Sequence, residues 1–226
     1  MNTLCNSPQQ SINILAFDTS CDEASLALWT RGHLHKLAIP LGTGPHSQAA
    51  CLIPMMQNIL TEQGITFQDL DVISTPTGPG SFTGIRLGLA TAQGLLLSTK
   101  AKSFAPTTFQ LLAFAAWKER EGAYLVTLST KRDSFYSQGF DENLNILFPG
   151  IIQTEEEIED FLKHHPNLKR VKTSANLGAE NLINFYLHEQ NKTHNLPRDR
   201  PEKNPQTLQP YYLHDPVFVK QKSCSL

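Results

Sequence analysis

Four cysteines are scattered through 226 residues, Cys5, Cys21, Cys51 and Cys224, and no two of them form a Cys-x-x-Cys pair. That excludes a zinc ribbon and a disulfide framework, and a reducing compartment is expected. Net charge is equally scant: 19 basic against 21 acidic residues leave −2. A chain that grips RNA by itself carries a larger positive footprint, so direct nucleic-acid binding is not expected. No run approaches the roughly 18 apolar residues of a membrane span. Residues 1–11 hold no basic residue and no apolar centre, which speaks against a secretory signal. The expectation is a cytoplasmic protein with no membrane attachment, long enough to bury a core in one large domain or two small ones.

What is present is a repeated element order. Apolar runs at residues 12–18, 24–30 and 34–39 read as three strands joined by polar turns at Asp22 and Gly32. Leu52, Ile53, Met56, Ile59 and Leu60 recur at helical spacing over residues 46–63, with Gly64 as the stop. A strand over 70–74, a glycine loop and an apolar helix over 84–98 follow. A helix over 107–121 leads into strands at 123–129, 134–140 and 146–152. Thr154 and Glu157 form a capping box for a helix to residue 165. A strand over 170–174 and a helix over 179–190 complete the second β-β-β-α-β-α. The fold class expected is therefore α/β, a duplicated unit with an N-terminal domain over 12–104, a second over 105–205 and a tail over 206–226 that docks back on the body. Pro197, Pro201 and Pro205 mark an exposed connector ahead of that tail.

The loop Gly78-Pro79-Gly80-Ser81-Phe82-Thr83-Gly84-Ile85-Arg86 is the most informative segment. It lacks the lysine of a nucleotide-cradling P-loop, and its glycines are spaced Gly-x-Gly-x-x-x-Gly, not Gly-x-Gly-x-x-Gly. A structural role for Gly78, Gly80, Ser81, Thr83 and Gly84 is favoured, with Ser81 or Thr83 capping the helix and Gly84, Gly88 and Ala92 allowing close packing. From Gly84 to Ser98 the helix has one formal charge, Arg86. Apolar residues lie on every side of it, so something must cover its second face.

Catalytic groupings are incomplete. Asp18, with Thr19 and Ser20 after it, ends the first strand where a carboxylate could meet a metal or phosphate, yet Ser129 stands in the equivalent place in the second half. His46 opens a helix whose next turn offers Ala49 and Ala50 instead of a second histidine. Ser81, His46 and Asp18 lack the Gly-x-Ser-x-Gly elbow of a hydrolase. Met55 beside the first helix's stripe, and Leu89, Leu96 and Leu97 on the second, suit a helix interface with another chain.

Ile14-Leu15-Ala16-Phe17-Asp18-Thr19-Ser20, His46-Ser47-Gln48, the nine-residue glycine segment and Ala90-Thr91-Ala92-Gln93-Gly94-Leu95, in this order, resemble the bacterial tRNA threonylcarbamoyladenosine biosynthesis family TsaB. Fainter echoes are Lys131-Arg132 before Phe135-Tyr136, and Pro210-Tyr211-Tyr212-Leu213. The resemblance implies a duplicated actin-like fold and a non-catalytic subunit that binds and activates the paralogous transferase TsaD, which modifies adenosine 37 of tRNA, with an ATPase, TsaE, joining. Pairing would run through the two helices at 46–63 and 83–99, for which the candidate contacts are His46, Leu52, Met55, Met56, Ile59, Arg86, Leu89, Gln93, Leu96 and Leu97. It implies a homodimer when the partner is absent and tRNA contact only through the complex. ATP or ADP and a metal would sit on the partner subunits, none on this chain alone, with Asp18, Thr19 and Ser20 a remnant of a nucleotide site. The catalytic relatives' His-x-x-x-His helix reads His46-Ser47-Gln48-Ala49-Ala50 here, and Ser129-Thr130-Lys131-Arg132 lacks the family's usual aspartate. The alternative is a stand-alone ATP- or metal-dependent transferase, kinase or hydrolase of the same fold.

Overall fold

β1 (Ile14–Asp18) is buried along its whole length, as an unbroken apolar run with a strand on either side requires. β2 (Ala24–Thr30) and β3 (His33–Ile39) return antiparallel from it, turning at Arg31 and Gly32, both at positive φ. On the other side β4 (Val72–Ser74) and β5 (Lys102–Phe104) join in parallel, giving the order β3-β2-β1-β4-β5. β5 is short and carries Lys102 outward, which hid it in the sequence. The second sheet orders its strands β8-β7-β6-β9, from β6 (Ala123–Ser129), β7 (Phe135–Phe140), β8 (Ile146–Gln153) and β9 (Leu168–Thr173), again two antiparallel pairings and one parallel.

The helices are α1 (Gln48–Glu62), α2 (Phe82–Ser98), α3 (Thr108–Glu119), α4 (Glu155–His164) and α5 (Glu180–Thr193). β-β-β-α-β-α therefore occurs twice, the duplicated element order expected from the sequence. This computed structural model describes residues 12–21, 24–39, 48–119, 122–130, 133–173, 178–193 and 208–213. His46, Lys131, Arg132, the connector prolines and the tail beyond Leu213 lie outside the described residues.

Burial divides the helices into layers. α1 and α2 cover one face of the first sheet, where Leu52, Met56, Ile59, Leu60, Ile85, Leu89, Ala92 and Leu96 meet Leu15, Phe17, Leu26 and Leu28. On the opposite face Ile14, Ala16, Ala27 and Val72 meet Leu182, Ile183 and Phe185 of α5 and Leu111 and Phe114 of α3. The other side of α3, through Phe109, Leu112 and Ala113, packs on Val126 and Phe140 of the second sheet. α3 thus lies between the sheets, and α5, the last helix among the described residues, closes the first sheet. α4 opens with the expected capping box, Thr154 N donating to Glu157 Oε2 (2.8 Å) and Glu157 N to Thr154 Oγ1 (3.2 Å).

Residues 208–213 strap the two cores together. Leu208 is buried with α1 and α2, while Tyr211 and Leu213 join the core under the second sheet. The strap is fixed by main-chain bonding, Tyr211 N to Thr77 O at 2.8 Å.

Candidate partner interface

Asp18 leaves β1 with its carboxylate turned into the protein, where Oδ1 accepts from Ser20 N (2.8 Å) and Ser20 Oγ (2.6 Å). Burial pushes the Asp18 carboxyl above the usual carboxylate range, and the two Ser20 bonds oppose that push. The neighbouring backbone is taken up as well. Thr19 Oγ1 donates to Gly84 O (2.7 Å), and Ser81 N donates to Ser20 O (2.7 Å).

The glycine loop makes this closeness possible. A Cβ on Gly84 would fall 1.7 Å from Thr19 O, and one on Gly80 would fall 2.9 Å from Ser20 O. Only glycine lets the start of α2 lie backbone to backbone on the turn after β1. Gly78 holds a positive φ of 106°. Ser81 is the cap, accepting from Gly84 N at 3.3 Å, whereas Thr83 is exposed and caps nothing. A phosphate cradle needs free N–H groups at the helix start. Here Ser81 N serves Ser20 O, Gly84 N serves Ser81 Oγ and Ile85 N serves Ser81 O, so the geometry is that of a packing joint between the start of α2 and the turn after β1. Among the described residues no group of three His, Cys, Asp or Glu side chains comes together to hold a metal.

α1 and α2 lie side by side over the first sheet, α1 against β2 and β3 and α2 against β4 and β5. The expected contact residues sort into three kinds. Leu52, Met56, Ile59, Leu89 and Leu96 are core side chains, none more than 9% exposed, so they hold the helices to the sheet and have no surface to offer a second chain. Met55 is half-buried against the same core. Arg86 and Gln93 are exposed but already engaged by the strap: Gln93 Nε2 donates to Leu208 O (2.8 Å), and Arg86 Nε donates to Tyr212 Oη (2.9 Å). The Arg86 guanidinium also sits 3.7 Å from the centre of the Phe82 ring, which stacks on Tyr212. Leu97 alone of the apolar candidates faces out, at 86% exposure.

Helical phase explains the split. Gly84, Ile85, Gly88, Leu89, Ala92 and Leu96 form the inward line, leaving Ala90, Gln93, Gly94 and Leu97 on the opposite side, all exposed. Gly94 has open space where a side chain would start. On α1 the outward residues include Ile53 and Pro54. The outer face of this helix pair is thus smooth, small-residued and nearly uncharged. Sequence reasoning passed over Ile53, Ala90 and Gly94, although the line of small residues on α2 was a usable signal for its phase.

Comparison with known proteins places the fold. The family profile "TsaD: tRNA N6-adenosine threonylcarbamoyltransferase" matches residues 45–192. The tRNA threonylcarbamoyladenosine biosynthesis protein TsaB of Buchnera aphidicola subsp. Schizaphis graminum is 30% identical over 160 residues, covering 70% of this chain and 74% of that protein. The chain belongs to the TsaB family. The TsaB of Escherichia coli K12 is 31% identical over 153 residues, 67% of this chain, and the match spans 63% of the Escherichia coli protein's length. Among solved structures, YeaZ from Pseudomonas aeruginosa superposes with a TM-score of 0.68 over 89% of this chain and 100% of that one, at 19% identity, which establishes a shared fold. For a TsaB-family chain, the closed joint at Asp18 and the bare outer face of α1 and α2 are the two features that bear on its work.

Proposed function

We propose that this chain is the non-catalytic subunit of the assembly that makes threonylcarbamoyladenosine in tRNA, pairing with a TsaD-like transferase of the same fold through the outer face of α1 and α2. The observation that carries the reading is that face: Leu97 stands 86% exposed beside Ala90 and Gly94, and Ile53 is 39% exposed on the neighbouring helix. Small residues let a partner helix approach closely, and exposed leucine and isoleucine supply apolar area that the monomer leaves in water. A partner of the same fold would bring two helices of its own to such a face.

In this reading ATP or ADP and the metal are held by the partner subunits, a TsaE-like ATPase joins the assembly, and tRNA is reached through the complex in the cytoplasm. Two copies of the chain pair through the same face when the partner is absent. Support for a non-enzymatic role comes from the joint at β1: Asp18 Oδ1 is taken by Ser20, and the turn after β1 is packed backbone to backbone against the start of α2. The stand-alone enzyme would need that carboxylate turned outward.

The test is co-elution of the chain with its TsaD-like partner, together with the yield of modified adenosine in tRNA. Leu97→Asp combined with Ile53→Asp is expected to abolish both while the variant's own melting temperature stays within a few degrees. A complex of undiminished affinity would refute the assigned face, and full modification without this chain would refute the subunit role.

A further inference from the structure

Leu97 belongs to a line of exposed residues on α2. Phe82, Arg86, Ala90, Gln93 and Leu97 recur at intervals of three or four, which sets them one above another along the helix. The strap runs beside the first part of that line, where Gln93 Nε2 holds Leu208 O and Arg86 Nε holds Tyr212 Oη. At the start of α2 it completes a cluster of two rings and a guanidinium. Phe82 is 45% and Tyr212 39% exposed, and their rings stack with centres 5.9 Å apart. Arg86 Cζ lies 3.7 Å from the centre of the Phe82 ring and 5.9 Å from that of Tyr212.

The cluster holds the guanidinium without neutralising it. Among the described residues Nε is the one nitrogen of the group with an acceptor, and no carboxylate lies within ion-pair distance. Arg170 shows the contrast: its Nη1 and Nη2 both donate to Glu155, at 2.6 Å each. Across α1 and α2 the only other charged side chain is Glu62, the last residue of α1. With Nε engaged and the plane laid on a ring, the edge formed by Nη1 and Nη2 is left to receive two parallel hydrogen bonds, the geometry of a carboxylate. We propose that this edge of Arg86 takes a carboxylate borne on a helix of the TsaD-like partner, so that Phe82, Arg86 and Tyr212 form the polar end of a face whose apolar end is Leu97. The inference rests on the partner reading above and adds to it the strap and the charged contact that sets the register.

Continuity and charge carry the argument. Arg86 precedes Leu97 by about 16 Å along the axis, at roughly 1.5 Å per residue, so a partner helix of about three turns laid over Leu97 and Ala90 also reaches Arg86. An apolar face lets such a helix slide, whereas one unpaired cation at one end admits a single register and repels a basic partner. Ring and hydrogen bond already restrain the arginine in the free chain, which lowers the ordering cost on association. A nucleic acid could address the same cluster through a phosphate and a stacked base. The net charge of −2 and the apolar continuation to Leu97 favour a protein.

Titration calorimetry of the full chain with its TsaD-like partner tests this, at about 0.05 and about 0.5 M NaCl. Arg86→Gln is expected to weaken binding about tenfold at low salt and to flatten the salt dependence that the wild type shows. Arg86→Lys should keep the salt dependence and bind less tightly than arginine, since it lacks the planar fork. Arg86→Glu should be rescued by one partner variant when the partner's acidic side chains are changed to arginine one at a time. A loosened strap by itself produces neither the flattened salt response nor the rescue. Wild-type affinity that ignores salt overturns the proposal even where the variants fail to fold. Affinity of Arg86→Gln within about twofold of the wild type, or rescue by no partner variant, overturns it too. Binding of tRNA by the chain alone, lost in Arg86→Gln, assigns the cluster to RNA and likewise overturns it. Failure of the wild type to form any complex sinks the partner reading itself, whereas a complex indifferent to salt and to Arg86→Gln sinks only the carboxylate contact.

Discussion

Asp18 closes β1 and Ser129 closes β6, the same station in two units of the same order, and the chain treats them oppositely. Asp18 is buried, bonded by Ser20 and sealed beneath the start of α2. Ser129 is exposed, and the turn after it is held by Thr130 N donating to Ser134 O at 3.0 Å. The outer layers differ in the same sense. Two helices bury eight side chains on the first sheet, whereas α4 fully buries Ile158 alone on the second and is otherwise tied by the ring contact of Phe148 with Phe161 and the ion pairs of Glu155 with Arg170 and Lys172. Repeating the order of elements does not repeat the burial. The first half is a platform held by buried apolar side chains, with Leu97 and Ile53 exposed on its outward side, and the second is a lighter body fastened by polar contacts.

Breaking the joint at β1 should show that contrast most sharply. Gly84→Ala puts a carbon on top of the Thr19 carbonyl, where backbone must move, and it is expected to cost more than about 4 kcal/mol or to prevent folding. Gly139→Ala in the second half would meet the ring of Phe148 at 2.1 Å. That ring is only half-buried and can turn, so a smaller loss is expected. Urea unfolding of the two variants side by side measures the difference, and equal losses would mean that the first half is no stiffer than the second.

Next in size is the inner side of the platform. Met56 is fully buried, and Met56→Ala should cost about 2–5 kcal/mol by transfer and cavity formation. Leu97→Asp on the outer side should change stability by less than about 0.5 kcal/mol. A large loss from Leu97→Asp in the isolated chain would show that its own fold covers that face.

Much of this architecture was legible in the residues. β1 announces itself as an unbroken apolar strand, Thr154 and Glu157 as a capping box, and the missing lysine in the glycine loop as a packing joint. The inward side of α2 was harder, because Leu87, Leu89, Leu95, Leu96 and Leu97 surround the helix almost evenly. Gly84, Gly88 and Ala92 held the answer: small residues mark where a helix touches backbone, and Leu89 and Leu96 share their line. Met56 and Ile59 looked like interface residues since hydrophobicity alone does not say which of two apolar surfaces meets the sheet. β5, three residues long, is made by its pairing with β4 more than by its own composition. That residues 208–213 return to the body was expected from the sequence, but their contacts were not, because the bonds from Arg86 to Tyr212 and from Gln93 to Leu208 join residues more than a hundred positions apart.

Asp18→Asn sharpens the comparison at smaller amplitude. The amide oxygen can accept both Ser20 bonds, and the buried charge disappears. A carboxyl whose folded value is raised binds its proton more tightly in the native state, so the wild type gains stability as pH falls through that value toward 3.8. The variant should therefore melt a few degrees higher at pH 7, with its advantage shrinking as pH drops. A variant that is less stable at pH 7 would mean that the carboxylate itself is needed at the joint.

The smallest effect belongs to the polar fastening of the second half. Bonds from Arg170, then Lys172, hold the Glu155 carboxyl down at about 2, from a usual 4.5. A depressed carboxyl contributes stability that is complete above its unfolded value and disappears as pH falls through the folded one. Glu155→Gln should thus be slightly less stable than the wild type at pH 7, with the gap closing between about pH 4.5 and about pH 2. Glu155 is exposed, so added salt should narrow the gap as well. Urea midpoints across that range, at low and high salt, provide the measurement. A gap that persists at pH 2 would place the role of Glu155 in packing α4 onto β9, and would make the second half resemble the first more closely than its charges suggest.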